Sequence, residues 1–468
     1  MRYGSSVVPL SVFVVSALVG SVGSIGAQTT VLTVGPHGSY PTIQNAIDLV
    51  VPGTDTEIRV EGGATYVENL VIDAGFSSGT LALLGVWETT FSQRPFPPQD
   101  TIIDGGLSDG VIDAFGMEGD LTIDGFTVTN GLKTGGGGGI HINPSGDAHV
   151  TLDNVRIIDN TATAAGGTSG GGLRAELSGS QHLEVLNCRI SGNGVSSSAG
   201  GVVTGGGVAL RSIGDSSFVV QGCEIDNNSL ESTGQVQAAG IWVRLEDSAQ
   251  GNLLDNTIVA NSAHSSDVWV SGLQCEITDS GTLNVERSAV ALNTATGGGA
   301  GPQVWSANSQ TSSLRMSDSI VGLGDQDGLE VRADHTSTAN LVNLTVVDNA
   351  GNGVAMGQFG SATMTLYNTI VYGNLVDFSI INGSVETESN LIGVDPGFVN
   401  PAALDYELGL GSPAENAGDN NAPGGLGLLD LGGNTRVQDS TVDIGCYEGI
   451  AEIFFDGFEN GQTTAWSP

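Results

Sequence analysis

Nine copies of one short pattern between residues 121 and 374 constrain this chain more than any other feature. They read LTIDGFTVTN, VTLDNVRIIDN, LEVLNCRISGN, FVVQGCEIDNN, NLLDNTIVAN, LNVERSAVALN, LRMSDSIVGLG, LVNLTVVDN and MTLYNTIVYGN. Aligned on the residue after the first short strand, the markers are Gly125, Asn154, Asn187, Gly222, Asn256, Arg287, Asp318, Asn343 and Asn368, spaced 25 to 35 residues apart. A period of this size is the signature of a solenoid. Its variation fits a constant strand frame joined by loops of changing length. About 14 residues before each marker a Gly-rich turn leads into an alternating strand, as in GGGIHIN, GGGLRAEL, GGGVALR, AGIWVRL, SGLQCEI and DGLEVRA. Each repeat therefore holds two clear strands and a third, weaker one. Strands this short cannot bury a face alone. Stacked about 4.8 Å apart, coil upon coil, their apolar sides make one continuous core. The expected fold class is all-β, a right-handed parallel β-helix solenoid of about 10 to 13 coils.

One segment departs from the strand pattern. In YPTIQNAIDLV, the residues Ile43, Ala46, Ile47 and Val50 form a helical apolar stripe. Pro41 and Thr42 suit a helix start. An open solenoid end exposes strand edges and core, so this short helix is expected to cap the N-terminal end.

Two polar columns run through the repeats. Stacked amides can bond along the axis, since each carries a donor and an acceptor. One column is formed by the markers Asn154, Asn187, Asn256 and Asn343. A second lies six residues on, at Asn160, Asn193, Asn228, Asn349 and Asn374. Both are expected to be structural.

Composition narrows the function classes. Glycine is 72 of 468 residues, yet 39% of the chain is hydrophobic, enough apolar surface to argue against disorder. The formal net charge is −38. Such a surface repels nucleic acid and anionic lipid, and repels polyuronates unless cations intervene. Residues 1–27 read as a signal peptide, with Arg2 before an apolar run from Val7 to Val19 and small residues up to Ala27. No later stretch is apolar enough to span a bilayer. The mature chain is expected to be secreted or held at the surface of a Gram-negative-type bacterium, without a transmembrane span and as a monomer.

Together these features resemble the pectin-lyase-like right-handed β-helix superfamily. The opening TVGPHGSYPTIQNAIDLV resembles its N-terminal coil-and-cap segment, and the GGG-plus-strand and N-x(5)-N repeats resemble polymorphic outer-membrane-protein-type repeats. The segment DPGFVNPAALDYELGLGSPAENAG, with DLGGNTRV and DIGCYE after it, is similar to the choice-of-anchor Q module of bacterial surface β-helices; Cys446 departs from that pattern, where a small residue is usual. The resemblance implies fold and surface location, not a reaction, because one fold hosts many functions. The expected organisation is a signal peptide at 1–27, an N-terminal cap and first coils at 28–120, β-helix repeats at 121–390, the choice-of-anchor-like module at 391–448 and a tail at 449–468.

A search for catalytic groups gives none. Lyases of this fold pair charge neutralisation with a Lys or Arg base. The sole lysine, Lys133, precedes five glycines and reads as a loop-tip residue. Glycosidases need two carboxyls about 5–5.5 or 6.5–9.5 Å apart. The outward positions of the GGG-strand run His141, Arg174, Ala209, Trp242, Gln274, Trp305, Glu330, Ala355, and beside them Asn143, Glu176, Arg211, Arg244, Glu276, Ala307, Arg332, Gly357. Glu176 and Glu276 fall three rungs apart, about 14 Å, too far for a pair. Inter-coil ion pairs, Glu176 with Arg211 and Arg244 with Glu276, account for them better. Arg189 with Glu224 repeats the theme.

Three further features mark candidate sites. Trp242 and Trp305, with His141 and Arg174 along the same column, suit the stacking of sugar rings on a flat β-face; the implied partner is a polysaccharide or cell-surface glycan. Asp325, Asp327 and Glu330 lie within six residues in GDQDGLE, an oxygen-rich cluster that makes Ca²⁺ the candidate cofactor, although six to eight ligands are needed. Cys188 and Cys223 occupy equivalent inward positions in adjacent coils, a disulfide candidate by Cα spacing, in a column with Phe126, Val155, Thr257, Ser288, Ser319, Leu344 and Thr369. The reading that results is a non-catalytic surface β-helix acting as an adhesin-like or glycan-binding scaffold. The alternatives are a polysaccharide lyase or glycoside hydrolase, and a purely structural spacer.

Overall fold

A computed structural model describes residues 29–449 apart from 96, 299, 300 and 439. The expected signal peptide and the tail from 450 onward lie outside the described residues. No helix among the described residues is long and apolar enough to cross a membrane.

Three long parallel sheets wind around one core, with 13, 12 and 11 strands. The first sheet runs from Thr30–Val34 to Glu386–Glu388, the second from Ala64–Val67 to Leu391–Ile392, and the third from Leu70–Ile72 to Val376–Asn382. A single coil shows the order. His149–Asp153 belongs to the first sheet, Arg156–Ile158 to the second and Leu173–Leu177 to the third, and the next coil begins at His182–Leu186. Alternation places every second side chain inside. The column Ile140, Leu173, Val208, Ile241, Leu273, Val304, Leu329 and Val354 is buried throughout. Each such aliphatic side chain contributes about 1.5–3 kcal/mol when fully buried.

The two polar columns solve different problems. The marker column supplies the left-handed residue of the tight turn between the first and second sheets: Gly125, Asn154, Asn187, Gly222, Arg287, Asp318, Asn343 and Asn368 all have positive φ. Gly and Asn tolerate that region at least cost. Asn256 does not belong to it. Asp255 holds the left-handed position there (φ 57°), following Leu254, which pairs with Gln221 and Glu286. The coil is therefore one residue shorter on its first-sheet side than the alignment on Asn256 implied. Asn256 instead turns inward at the place assigned to Thr257, where its Oδ1 accepts from the Cys223 N–H at 3.0 Å.

The second column is a buried amide ladder. Asn160, Asn193, Asn228, Asn261 and Asn293 are fully buried, and each Nδ2 donates to the next Oδ1 at 2.9–3.0 Å. The coil after Asn293 has Gly324 at this corner, and Gln303 fills the place. Its Oε1 accepts from Asn293 Nδ2 at 3.2 Å and its Nε2 donates to Asn349 Oδ1 at 2.7 Å. The ladder then ends through Asn374 on Asp377. It also explains the glycine before each third-sheet strand. A Cβ on Gly139, Gly172 or Gly207 would sit 2.8–2.9 Å from the amide nitrogen of Asn160, Asn193 or Asn228, closer than non-bonded atoms allow.

The N-terminal helix is Ile43–Ile47, with Thr42 as N-cap and Ile43, Ala46 and Ile47 buried. The Glu68 carboxylate accepts both Ile43 and Gln44 N–H at 2.9 Å. The Gln44 amide bonds both the N–H and the C=O of Val71, satisfying the open edge of the third sheet.

The variable loops are themselves ordered. Between the second and third sheets, six short strands from Leu132–Thr134 to Thr294–Gly297 stack in one parallel sheet and four more, from Thr168–Ser169 to Asp267–Val270, in another. They form a fin with its own apolar centre, including Ala162, Val195, Leu230, Val236, Ala263 and Val268.

At the other end, residues 414–448 fold back along the coils of Asp318, Asn343 and Asn368. Arg436 is fully buried there, 3.1 Å from Asp318 and 3.4 Å from Glu448. Asn368 brackets Asp419, donating from Nδ2 to its carbonyl and accepting its N–H. Within the segment that resembles the choice-of-anchor Q pattern, Glu448 accepts the Asp443 N–H, Asp430 accepts the Glu448 N–H and Asp443 accepts the Gly449 N–H.

Candidate functional site

The outward face of the third sheet lies beside the fin, and chemistry-bearing side chains concentrate there. The strand register places His141, Arg174, Ala209, Trp242, Gln274, Trp305, Glu330 and Ala355 on successive rungs, in the order the sequence implied.

At one end stands a dense ion-pair group. Lys133, on the first fin strand, reaches Asp113 of the third sheet. It is only 16% exposed, so it is not the loop-tip residue expected from the glycines after it. The fin strand that carries it folds down against the sheet. Asp113 also bonds His141 Nδ1 at 2.7 Å, and His141 Nε2 lies 3.8 Å from Glu176, which Arg174 holds at 2.8 Å. Burial by itself would lower the His141 pKa, but the Asp113 and Glu176 carboxylates outweigh it and raise it. The His141 contact, with help from Arg174 and against burial, depresses Glu176 to about 2. Asp113 is also lowered: burial opposes this, and the His141 and Lys133 contacts prevail. Every charge in the group is committed to a neighbour. Glu176 is thus poorly suited to be a general acid, which needs a raised pKa.

Further along, ion pairs cross the rungs. Arg244 meets Glu276 at 3.6 Å, as expected, but Arg211 turns from Glu176 to Glu246 at 2.9 Å. Glu246 lies beyond the two columns read from the sequence, which hid it. Arg189 and Glu224 pair at 3.4 Å on the second sheet.

The indoles occupy the other end. Trp305 meets Trp269 edge to face, with ring centroids 6.0 Å apart. Trp269 sits on the fin strand Asp267–Val270, 42% exposed, and its Nε1 donates to Asp267 at 3.1 Å. Trp242 is half-buried, with an unpartnered Nε1. Reading repeats by column missed Trp269 because the fin is not part of the repeated frame. His141 and Arg174 belong to the ion-pair group, on the rungs before Ala209 and Trp242.

The three acids proposed for Ca²⁺ take separate partners. Asp325 accepts the Ala295 N–H with both oxygens at 3.1 and 3.2 Å, closing the edge of the last fin strand. Asp327 accepts from the Asn352 backbone and side chain, and Glu330 pairs with Arg332 at 2.6 Å. They do not bring ligand atoms within 4.8 Å of one another; among the described residues the group that does is His149, His182 and Glu184, on the first sheet.

All four cysteines are free thiols. Cys188 and Cys223 do stack, with the Cys188 N–H donating to Cys223 Sγ at 3.4 Å, but they form no disulfide. In-register parallel strands hold Cβ atoms at the rung spacing of about 4.8 Å, whereas a disulfide needs about 3.5–4.5 Å. Burial raises the Cys188 and Cys275 thiols and pushes Cys446 up to about 12, so these thiols stay protonated and unreactive. Cys446 lies in the docked C-terminal segment, its N–H donating to Thr345 Oγ1 at 3.1 Å.

No curated protein matches the chain. A crystal structure of pectate lyase Pel9A is similar over 91% of this chain and 97% of that one, at 13% identity and a TM-score of 0.48. Residues 112–315 match the family model described as a right handed beta helix region. The stretch they cover holds both the fin and the face beneath it, and the described residues form a right-handed parallel β-helix.

Proposed function

We propose that this chain is a secreted, surface-held rod that binds a neutral polysaccharide along the third-sheet face beside the fin, without cleaving it. The observation that carries this reading is the Trp269–Trp305 contact, an edge-to-face pair that joins the fin to the sheet and leaves indole surface exposed. Trp242 stands two rungs from Trp305, about 10 Å at ~4.8 Å per rung, comparable to a disaccharide. Aromatic faces beside polar groups are suited to sugar rings. The net charge of −38 favours neutral chains over uronates. The closed ion-pair group around Asp113 favours binding over catalysis, because its lysine is already neutralised.

The test is tryptophan-fluorescence titration against soluble neutral and uronate polysaccharides, with and without Ca²⁺, alongside assays for new chain ends. Saturable binding to a neutral polymer is expected, weakened about tenfold, or ~1.4 kcal/mol, by Trp305→Ala or Trp269→Ala. Equal binding by both variants would remove the site from this face. New unsaturated or reducing ends would replace the binding reading with a lyase or hydrolase.

A further inference from the structure

The outward face of the first sheet, on a different side of the coil from the indoles, carries a second arrangement. His149 and His182 are in register on adjacent rungs, and their rings meet edge to face with centroids 4.7 Å apart. Glu184, two residues along the same strand as His182, spans both: His149 Nε2 lies 3.5 Å from one of its oxygens and His182 Nε2 lies 3.7 Å from the other. All three ligand atoms fall within 4.8 Å of one another.

Two details go beyond proximity. His149 Nε2 is shielded from solvent yet has no hydrogen-bond partner. His182 Nδ1 lies 2.7 Å from Ser217 Oγ on the next rung. When that Nδ1 carries the proton and donates it, the Nε2 lone pair faces Glu184 and His149. The side chains remain 28–44% exposed, so an ion has a path in from solvent.

We propose that His149, His182 and Glu184 form a binding site for a first-row divalent ion that prefers imidazole, with Zn²⁺ as its representative. Zn–N and Zn–O bonds of about 2.0–2.2 Å in a tetrahedron place ligand atoms roughly 3.3–3.5 Å apart. The nearest His–Glu contacts, to different oxygens of Glu184, are close to that spacing, and with all three ligand atoms within 4.8 Å the side chains need to draw together by roughly an ångström to share one ion through a single Glu184 oxygen. Three ligands leave the fourth position open to water. Imidazole nitrogen selects Zn²⁺, Ni²⁺ or Cu²⁺ over Ca²⁺ and Mg²⁺, which take oxygen ligands. The acidic surface draws in cations of every kind, and the two histidines supply the discrimination. This site is independent of the glycan reading and stands or falls without it.

The test uses the full mature chain without a histidine tag, stripped with chelator and titrated with Zn²⁺ by calorimetry in millimolar Ca²⁺ and Mg²⁺. One equivalent is expected to bind. Substituting Co²⁺ should give the visible absorption bands of a four-coordinate ion. His182→Ala and Glu184→Gln should abolish the saturable phase, and Ser217→Ala should weaken it about tenfold. Circular dichroism checks that each variant keeps its β-sheet spectrum; should one ligand variant unfold, the other ligand variant and the Co²⁺ spectrum still decide. No stoichiometric phase in Ca²⁺, or a phase that survives both ligand substitutions, would overturn the site.

Discussion

The coils from Asn154 to Asn293 and those from Asp318 to Asn374 share one frame but stabilise its outside differently. The earlier coils span 32 to 35 residues from one ladder asparagine to the next, and the extra length builds the fin. The later coils repeat every 25 residues, pass directly from the second sheet to the third, and are covered instead by the C-terminal segment. The fin is modular: each coil adds a strand to its six-stranded sheet, four of them add a second strand to its four-stranded sheet, and its centre is apolar. The C-terminal cover is not modular. At its centre lies one buried arginine between two buried carboxylates, beside small apolar contacts made by Ala414, Ala422 and Ile444. A repeated apolar lobe spreads its stabilisation over many small contributions, whereas a buried charge cluster concentrates it in a few residues.

Arg436→Met should expose that contrast most strongly. It leaves Asp318 and Glu448 buried without their cation, a loss of about 3–5 kcal/mol. Hydrogen exchange should rise in the later coils and the C-terminal segment while the finned coils keep their protection; uniform loosening along the rod would show that the two regions are not separate.

Gln303→Leu strikes the junction. It removes the one side chain that carries the amide ladder across Gly324, leaving the Asn293 backbone N–H without its acceptor, while Asn293 Nδ2 keeps the Ile258 carbonyl and Asn349 Oδ1 keeps the Gly324 N–H. Unsatisfied buried groups cost about 1–3 kcal/mol each. Denaturant unfolding should lose about that amount and become biphasic, the two regions melting separately; a single transition would mean the apolar core alone couples them.

The last effect concerns pH. Burial, partly offset by Arg436, raises Glu448 to about 8, and burial likewise raises Asp318. Carboxyls raised on folding stabilise the fold fully below their ordinary range and lose that contribution as pH rises through the folded value. The later coils should therefore lose stability between about pH 4.5 and 8, and Glu448→Gln should flatten the slope. An unchanged slope in that variant, measured by thermal unfolding across this range, would place the titration elsewhere.

Much of the architecture was legible because a solenoid repeats its local physics. Strand alternation, the glycine turns and the Asn160–Asn374 column each recur at one place in the coil, so the outward order from His141 to Ala355 could be read by counting. Counting failed where one coil changed length. Asn256 carries the expected residue type one position late, and only backbone pairing shows that Asp255 makes the turn. The His149–His182 pair was visible in HVTLDN and HLEVLN, at equal places in adjacent repeats, but two histidines alone do not reveal that Glu184 spans both.

The sequence by itself determined the frame: inward aliphatic columns, a left-handed residue at each turn, and glycine wherever an asparagine amide takes the space of a Cβ. These are set within one coil or between neighbours, where a repeat fixes every distance. The tertiary structure alone decided what lies against the outside of that frame. Trp269 reaches Trp305, Lys133 reaches Asp113 and Arg436 reaches Asp318 from loops whose lengths follow no repeat, and contacts between segments of unequal length have no period to be read from.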